Sequence, residues 1–257
     1  MSKLDIDSVI KSYNNKVILS DIYMSCKKGE IKGLIGRNGS GKSTLLKIVF
    51  GTEKSESKFV RIGNKVIKNI SDGRNLINYL PQDNFLPNNI SVKSLVNLFL
   101  QKENRKIILE NEYVKPLLNK KNQDLSGGEK RIIEILLIIH SNAEFILLDE
   151  PFNGVSPIVR DYIIEYIKKM KSSKGYIITD HDYENIITLA DNIVYLQNGF
   201  LKEIKDVSEL VELGYMTKTT YDNMNNSNRT IPRQSPDRFS ESSRNYWKYQ
   251  VKLYIAR

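Results

Sequence analysis

The chain has 257 residues, of which 40% are hydrophobic and 27% charged, and its mean hydropathy is −0.39. These values describe a soluble globular protein with one large core or two modest domains, and they exclude collagen, general disorder and a membrane-spanning bundle. Residues 217–257 hold eight basic and three acidic side chains, so five units of the net charge of +9 belong to this segment. The basic excess is therefore partly a property of the tail and does not by itself indicate a nucleic-acid surface.

Three features make the cytoplasm, a reducing compartment, the expected location. Cys26 is the single cysteine and cannot form an internal disulfide. The polar start at residues 1–7 does not resemble a signal peptide. The apolar runs are far shorter than the roughly 18 to 20 residues that a membrane-spanning helix needs.

Short β-rich runs alternate with helical patterns along the first 216 residues, which predicts an α/β fold with a mostly parallel sheet. Strands are predicted at 17–26, 31–35, 76–80, 145–148, 176–179 and 193–196. Hairpins are predicted at 59–70, with a turn at Gly63-Asn64, and at 193–204, with a turn at Asn198-Gly199. Helices are predicted at 41–51, 129–140, 157–170 and 208–213, a small helical insertion at 90–118, and a flexible segment at 223–243.

A phosphate-binding loop pattern occupies residues 36–43, between a predicted strand and a predicted helix. Its glycines allow successive backbone N–H groups and the helix N-terminus to point at phosphate oxygens. Lys42 is expected to reach the β- and γ-phosphates, and the Ser43 hydroxyl to bind Mg²⁺. The alternative, a glycine-rich turn without function, is disfavoured by the strand and helix on either side.

An acidic pair follows the apolar run 145–148, which has the pattern of a strand buried on both faces. A carboxylate at the end of such a strand needs a cation or a partner, so Asp149 is expected to hold Mg²⁺ through water. Glu150 is expected to act as general base on the attacking water. An acidic turn without function remains an alternative for this run taken by itself.

Ser126, Gly127 and Gly128 precede the predicted helix 129–140 and form a second candidate anion site at a helix N-terminus. With Leu125 and Glu129 they resemble the signature motif of the ATP-binding cassette (ABC) superfamily. The resemblance covers about residues 3–215 and implies a P-loop NTPase (RecA-like) core with an antiparallel β subdomain and a short helical subdomain.

The resemblance also implies roles for further residues. Gln82 is similar to the glutamine that contacts Mg²⁺ and the lytic water, His181 to the switch histidine that touches the γ-phosphate, and Tyr13 to the aromatic residue that stacks on adenine. It further implies that Glu150, His181, Gln82 and Lys42 are catalytic, that Mg²⁺ is held by Ser43, Gln82 and Asp149, and that ATP is bound by Tyr13, Gly36, Arg37, Asn38, Gly39, Ser40, Gly41, Lys42, Ser43, Thr44, Ser126, Gly127 and Gly128.

Three departures from the family pattern stand out. Ser156 occupies the place of an aspartate in the loop that crosses the family's dimer, which puts coupling of the two ATP sites in question. The signature ends in Glu129 rather than the commoner glutamine. Only 44 positions separate Gln82 from Ser126, which is short for the family's helical insertion and bears on the surface that meets a membrane subunit.

We therefore expect an ABC-type ATP-binding domain at residues 1–216, with its helical insertion at about 83–126, and a basic flexible tail at 217–257. The leading hypothesis is the ATP-hydrolysing subunit of an ABC transporter, with ATP between two head-to-tail copies and a separate membrane permease at the cytoplasmic face. The alternatives are a soluble ABC-type ATPase of assembly, repair or translation, and an idle regulatory subunit. The aromatic and basic end of the tail is compatible with a membrane surface, RNA or a protein groove. A disordered extension or a translated segment foreign to the family is favoured over these, and no specific nucleic acid is expected.

Overall fold

The computed structural model describes residues 2–230, with side chains described through residue 224. The chain divides between Lys205 and Asp206 into two compact units. The end of the predicted tail, residues 231–257, lies outside the described residues. The predicted limit of the ATP-binding domain at residue 216 and the flexibility of the tail stay predictions.

A six-stranded sheet forms the centre of the first unit. Its strand order is β10-β9-β3-β8-β7-β6, and all neighbours are parallel except β10 and β9. The strands are β3 (Ile31–Ile35), β6 (Ile77–Leu80), β7 (Phe145–Asp149), β8 (Gly175–Thr179), β9 (Asn192–Gln197) and β10 (Phe200–Ile204). Every residue of β3, β7 and β8 is buried, so the predicted strands at 31–35, 145–148 and 176–179 are confirmed, and the last two are buried as their sequence patterns predict.

A second, four-stranded antiparallel sheet has the order β2-β1-β4-β5. Its strands are β1 (Lys3–Tyr13), β2 (Lys16–Lys27), β4 (Ser57–Ile62) and β5 (Lys65–Val66). β1 and β2 are joined by a two-residue turn, Asn14-Asn15, in which both residues have positive φ. Such turns match the twist of antiparallel strands, so Tyr13 is held at the tip of a hairpin. One apolar cluster packs this sheet against β3, β7, β8 and β9 of the six-stranded sheet.

Five helices of the first unit connect strands of the two sheets. They are α1 (Lys42–Phe50), α2 (Ile70–Gly73), α5 (Gly127–Ile139), α6 (Pro157–Met170) and α7 (Tyr183–Leu189). The predicted helical insertion consists of α3 (Val92–Phe99) and α4 (Lys102–Leu109), followed by two short 3-10 turns. The insertion thus lies between β6 and α5, so it begins beside Gln82 and ends beside Ser126.

The second unit contains α8 (Glu209–Glu212) and α9 (Lys218–Thr230). Residues 223–230, at the start of the segment predicted to be flexible, belong to α9. Among the described residues, no helix has both the length and the apolar character to cross a membrane.

Candidate nucleotide-hydrolysis site

The phosphate-binding loop joins β3 to α1, as the sequence predicts. Gly41 has φ 105° and caps the N-terminus of α1, and a Cβ atom there would lie 2.8 Å from the Ile18 side chain. At Gly36 a Cβ atom would lie 2.5 Å from the carbonyl oxygen of Leu196. Glycine is therefore required at both positions, and the N–H groups at the start of α1 stay available to an anion.

Lys42 is buried at the base of this loop. Its Nζ donates hydrogen bonds to the carbonyl oxygens of Gly36, at 2.7 Å, and Arg37, at 3.4 Å. Burial lowers the pKa of Lys42, and the carboxylates of Glu150, Asp149 and Asp180 oppose that shift. The two loop carbonyl oxygens bind the ammonium group, and the three carboxylates favour its charged form.

Asp149, at the end of β7, is fully buried and accepts three side-chain hydrogen bonds. Its Oδ1 accepts from Ser43 Oγ at 3.0 Å and Thr179 Oγ1 at 2.7 Å, and its Oδ2 from Tyr79 Oη at 2.9 Å. Burial and the nearby carboxylate of Asp149 raise the pKa of Tyr79, so its hydroxyl stays a proton donor. These contacts join β6, β7 and β8 to the first turn of α1.

Glu150 directly follows β7 and has φ 47°, an uncommon conformation for a residue with a side chain. Its backbone N–H donates to Thr179 at 3.1 Å, which fixes the turn. Its Oε2 accepts a hydrogen bond from Gln82 Nε2 at 2.9 Å and lies 3.9 Å from His181 Nδ1. The structure therefore brings the three predicted catalytic side chains Glu150, Gln82 and His181 together.

Asp180 lies beside this group and was not singled out in the sequence. Its side chain is buried, and its Oδ1 lies 3.4 Å from His181 Nδ1 and accepts from the Asp182 N–H at 2.7 Å. Burial raises the pKa of Asp180 to about 6. This buried carboxyl group therefore contacts the imidazole of His181, whose side chain is 54% exposed.

Arg131, on α5, binds the backbone of the same region and was also not predicted from the sequence. Its guanidinium is 3% exposed and donates to the carbonyl oxygens of Pro81, Asp149, Glu150 and Pro151 at 2.8 to 3.3 Å. It also pairs with the fully buried Glu134 at 3.5 Å, as expected for buried charges. A charged residue inside the apolar run 132–139 was the only sequence signal of this buried pair.

A cavity of about 590 Å³ opens above the loop. Eleven of its lining residues were predicted from the sequence, and Ile18 was not. The lining consists of Tyr13, Ile18, Asn38, Gly39, Ser40, Gly41, Lys42, Ser43, Thr44, Gln82, Glu150 and His181. Gly36, Arg37 and Asp149 are absent from this lining, but each contacts Lys42 or Ser43.

The signature residues Ser126, Gly127 and Gly128 do not line this cavity. Ser126 is the N-cap of α5: its Oγ accepts from the Glu129 N–H at 3.3 Å, and its N–H donates to Glu129 Oε2 at 2.7 Å. This capping box explains how a helix begins on two glycines. A capping box accepts either glutamate or glutamine at the position of Glu129.

Tyr79 and Thr179 were not predicted as site residues because their contacts depend on strand register. Asp149 and Thr179 are direct partners on β7 and β8, and β6 places Tyr79 beside β7. The sequence signal that could have identified Thr179 is a polar residue at the end of a buried strand.

A phosphate-binding loop before a helix, a buried aspartate contacting the loop serine, and a glutamate facing the pocket define a nucleotide-binding hydrolase of the P-loop class. The family model described as ABC transporter matches residues 19–153. The chain belongs to this family and is an ATP-hydrolysing cassette within it.

Known proteins agree with this assignment. The lipopolysaccharide export system ATP-binding protein LptB of Escherichia coli (strain K12) is 32% identical over 217 residues, covering 78% of this chain and 89% of LptB. A solved structure of the ATP binding subunit of an ABC transporter has a TM-score of 0.73 at 21% identity, covering 86% of this chain and 99% of that one. A dimeric post-hydrolysis structure of the cassette MJ0796, bound to ADP and Pi, has a TM-score of 0.68 at 22% identity, covering 79% and 99%.

Proposed function

We propose that this cassette hydrolyses ATP in the cavity above the phosphate-binding loop, as one half of a head-to-tail dimer that drives a separate membrane permease. The observation that carries the proposal is the joint placement of Lys42, the Ser43–Asp149 contact and the Glu150 side chain around one cavity. Each of these groups has a distinct part in phosphoryl transfer to water.

The loop and its lysine bind the phosphates in this proposal. Residues 41–44, at the start of α1, line the cavity, and a helix N-terminus offers its unpaired N–H groups to an anion. When a triphosphate enters, Lys42 exchanges the Gly36 and Arg37 carbonyl oxygens for phosphate oxygens. Tyr13 lines the same cavity with 44% of its surface exposed, which suits an aromatic ring that stacks on adenine.

The residues beside the loop fit a Mg²⁺ ion. Ser43 Oγ and Asp149 Oδ1 are hard oxygen donors 3.0 Å apart, and Gln82 lines the cavity next to them. Ser43, Asp149 and Gln82 would hold the ion, the aspartate through water. When bound with ATP, Mg²⁺ neutralises charge on the β- and γ-phosphates.

Glu150 is the proposed general base. Its carboxylate is 13% exposed and its position is fixed by the Thr179 contacts and by the Gln82 amide. Gln82 donates one N–H to Glu150, so its carbonyl oxygen remains available to orient the attacking water. His181, 3.9 Å from Glu150, is proposed to contact the γ-phosphate.

The second anion site supports a dimer. Ser126, Gly127 and Gly128 form a helix N-terminus that lines no part of the cavity in its own chain. In a head-to-tail pair, the signature of each copy would close the nucleotide site of the other. The dimeric cassette structure of similar fold is consistent with such pairing.

Transport requires a membrane partner, which we propose to be another chain at the cytoplasmic face of the membrane. LptB, which is similar over 78% of this chain, carries the name of an export system. No feature of the described residues favours the soluble ABC-type ATPase as an alternative function.

The test measures ATP hydrolysis and nucleotide binding by the wild type, Glu150→Gln and Lys42→Ala. We expect Glu150→Gln to bind ATP normally and to lose hydrolysis by roughly 100-fold or more, since a general base contributes about 10² to 10⁴ in rate. Lys42→Ala should lose binding as well. Removal of Mg²⁺ with EDTA should stop wild-type turnover. Normal hydrolysis by Glu150→Gln would remove Glu150 from the base role.

A second experiment decides between the transporter and the soluble ATPase. The tagged cassette is purified from detergent-solubilised membranes of its own cells. Recovery of a multi-spanning membrane protein in stoichiometric amount is expected. Recovery of the cassette with soluble partners alone would contradict the transport function.

A further inference from the structure

A lysine covers one face of the Tyr13 ring. Lys11 Nζ lies 4.4 Å from the ring centroid, within the distance of a cation–π contact. Lys11 and Tyr13 are two residues apart on β1, and the lysine side chain lies over the ring. The ring therefore has one face against an ammonium group, and it reaches the cavity with its remaining exposed surface.

Two groups in the segment after α1 hold this lysine in place. Lys11 Nζ lies 2.9 Å from Glu53 Oε1 and donates to the carbonyl oxygen of Lys54 at 2.7 Å. The Lys11 side chain is 12% exposed and that of Glu53 30%. Hydrogen bonding with Lys11, and then with Tyr13, lowers the pKa of Glu53.

The backbone ties the same two segments together. Glu56 donates its N–H to the Ile10 carbonyl at 3.0 Å, and its carboxylate accepts from the Ser12 N–H at 2.9 Å. Residues 53–56 follow directly after α1, the helix whose N-terminus carries the phosphate-binding loop. The tip of β1 is thus attached to the far end of the phosphate-binding helix.

We propose that Lys11 and Glu53 are positioning residues for adenine binding: Lys11 holds the Tyr13 ring by one face and leaves the opposite face to the base. The inference rests on the proposed adenine contact of Tyr13. A ring that is ordered before the ligand arrives loses less conformational freedom on binding, which increases the affinity. This increase in affinity is restricted to ligands that carry a base. The pair therefore contributes to affinity for ATP and not to affinity for the phosphate chain alone.

The experiment compares ATP with inorganic tripolyphosphate by isothermal titration calorimetry with Mg²⁺. Every full-length protein in it, the wild-type comparison included, also carries Glu150→Gln, so that ATP is bound but not hydrolysed. For Lys11→Gln and Glu53→Gln we expect ATP to bind about three- to tenfold more weakly, the range of a partly exposed cation–π contact. Tripolyphosphate should bind as to the wild type. Lys11→Arg is the matched control, because it keeps the cation and should keep wild-type ATP affinity. Equal weakening of both ligands would indicate a general structural effect and overturn the proposal.

A second set of variants separates this inference from the proposed function. Tyr13→Ala should weaken ATP by roughly tenfold or more, as loss of base stacking does. In the Tyr13→Ala background, Lys11→Gln should have no further effect on ATP affinity. If Tyr13→Ala binds ATP normally, the adenine contact itself is wrong. If Tyr13→Ala is weak while Lys11→Gln equals the wild type, or if the two effects add, only the positioning role fails.

Discussion

At the scale of single residues, Asp149 shows how buried contacts complete a site that sequence motifs only outline. Its carboxylate accepts from hydroxyl groups on three elements: Ser43 on α1, Tyr79 on β6 and Thr179 on β8. The sequence predicted Asp149 and Ser43 because each belongs to a local motif. It could not predict Tyr79 and Thr179, since their positions depend on the order and register of parallel strands that are distant in the chain.

Replacing Thr179 with valine tests these buried contacts. Thr179→Val keeps the side-chain shape but removes a donor to Asp149 and an acceptor for the Glu150 N–H. We expect the free energy of unfolding to fall by about 1 to 3 kcal/mol, because buried polar groups lose a partner. We also expect half-saturation of turnover to need more Mg²⁺. Chemical denaturation and Mg²⁺ titration of ATPase activity measure the two effects.

Thr179→Ser is the control for this prediction, because it retains the hydroxyl and loses a methyl group. It should keep the wild-type Mg²⁺ dependence. Identical Mg²⁺ dependence of Thr179→Val and Thr179→Ser would show that the hydroxyl does not position Asp149.

A buried histidine gives the fold a pH dependence. His140, at the C-terminus of α5, is 4% exposed, and its Nε2 lies 2.6 Å from Tyr166 Oη. Burial, followed by the charge of Lys174, lowers the pKa of His140 to about 4. Since the unfolded pKa is about 6.5, the fold favours the neutral ring. This contribution to stability is complete above about pH 6.5 and is lost as the pH falls towards 4.

We compare the free energy of unfolding of the wild type with that of His140→Gln. As the pH falls from 7 to 4, the wild type should lose about 3 kcal/mol of stability relative to the variant. Asp180 has a raised pKa and changes stability in the opposite direction, but it is present in both proteins and cancels. A difference that does not vary with pH would show that His140 is not held neutral by burial.

At the scale of elements, segments with a clear apolar pattern were predicted correctly, whereas short or irregular segments were missed. The buried strands β7 and β8 and the helix α6 match the predicted segments closely. β1 escaped prediction because its pairing with β2 shifts register at three places and Ser8 has positive φ, which breaks the alternation of buried and exposed residues. α7 has only seven residues and begins in an acidic, polar stretch, so it has no extended helical period.

The first turn of α6 explains what Ser156 does in place of the expected aspartate. Ser156 is the N-cap of the helix: its Oγ accepts from the Val159 N–H at 3.4 Å, and Pro157 occupies the first helical position. Its effect on coupling between two ATP sites stays a prediction.

Variants at this cap have a defined expected order of stability. Ser156→Ala should lower the free energy of unfolding by about 1 kcal/mol, because the Val159 N–H loses its acceptor. Ser156→Asp should remain within about 0.5 kcal/mol of the wild type, since aspartate also caps a helix and suits its positive end. Urea unfolding of the three proteins measures this order. A Ser156→Ala variant as stable as the wild type would show that the cap contributes little.

At the scale of the whole molecule, two helices of the described part of the chain, α1 and α5, begin at glycine-rich sequence. Of these two N-termini, the one at α1 lines the nucleotide cavity and the one at α5 does not. Lys42 begins α1 at the cavity, whereas Ser126 caps α5 outside it. The motifs and their order could be predicted from sequence because each is a short local pattern. Their separation in space could not, because it depends on where the helical insertion and the sheet place α5. This separation is the physical reason to expect a second copy at each ATP.

The most direct test of this account measures the molecular mass of Glu150→Gln with and without ATP, by gel filtration coupled to light scattering. We expect a dimer with ATP, because nucleotide is bound but not hydrolysed, and a monomer without it. Glu150→Gln/Ser126→Arg should still bind ATP as a monomer, because its own phosphate-binding loop is unchanged, and should not dimerise, because the arginine blocks the signature helix N-terminus. Equal ATP-dependent dimerisation of the single and double variants would contradict the pairing of this signature with the partner's nucleotide.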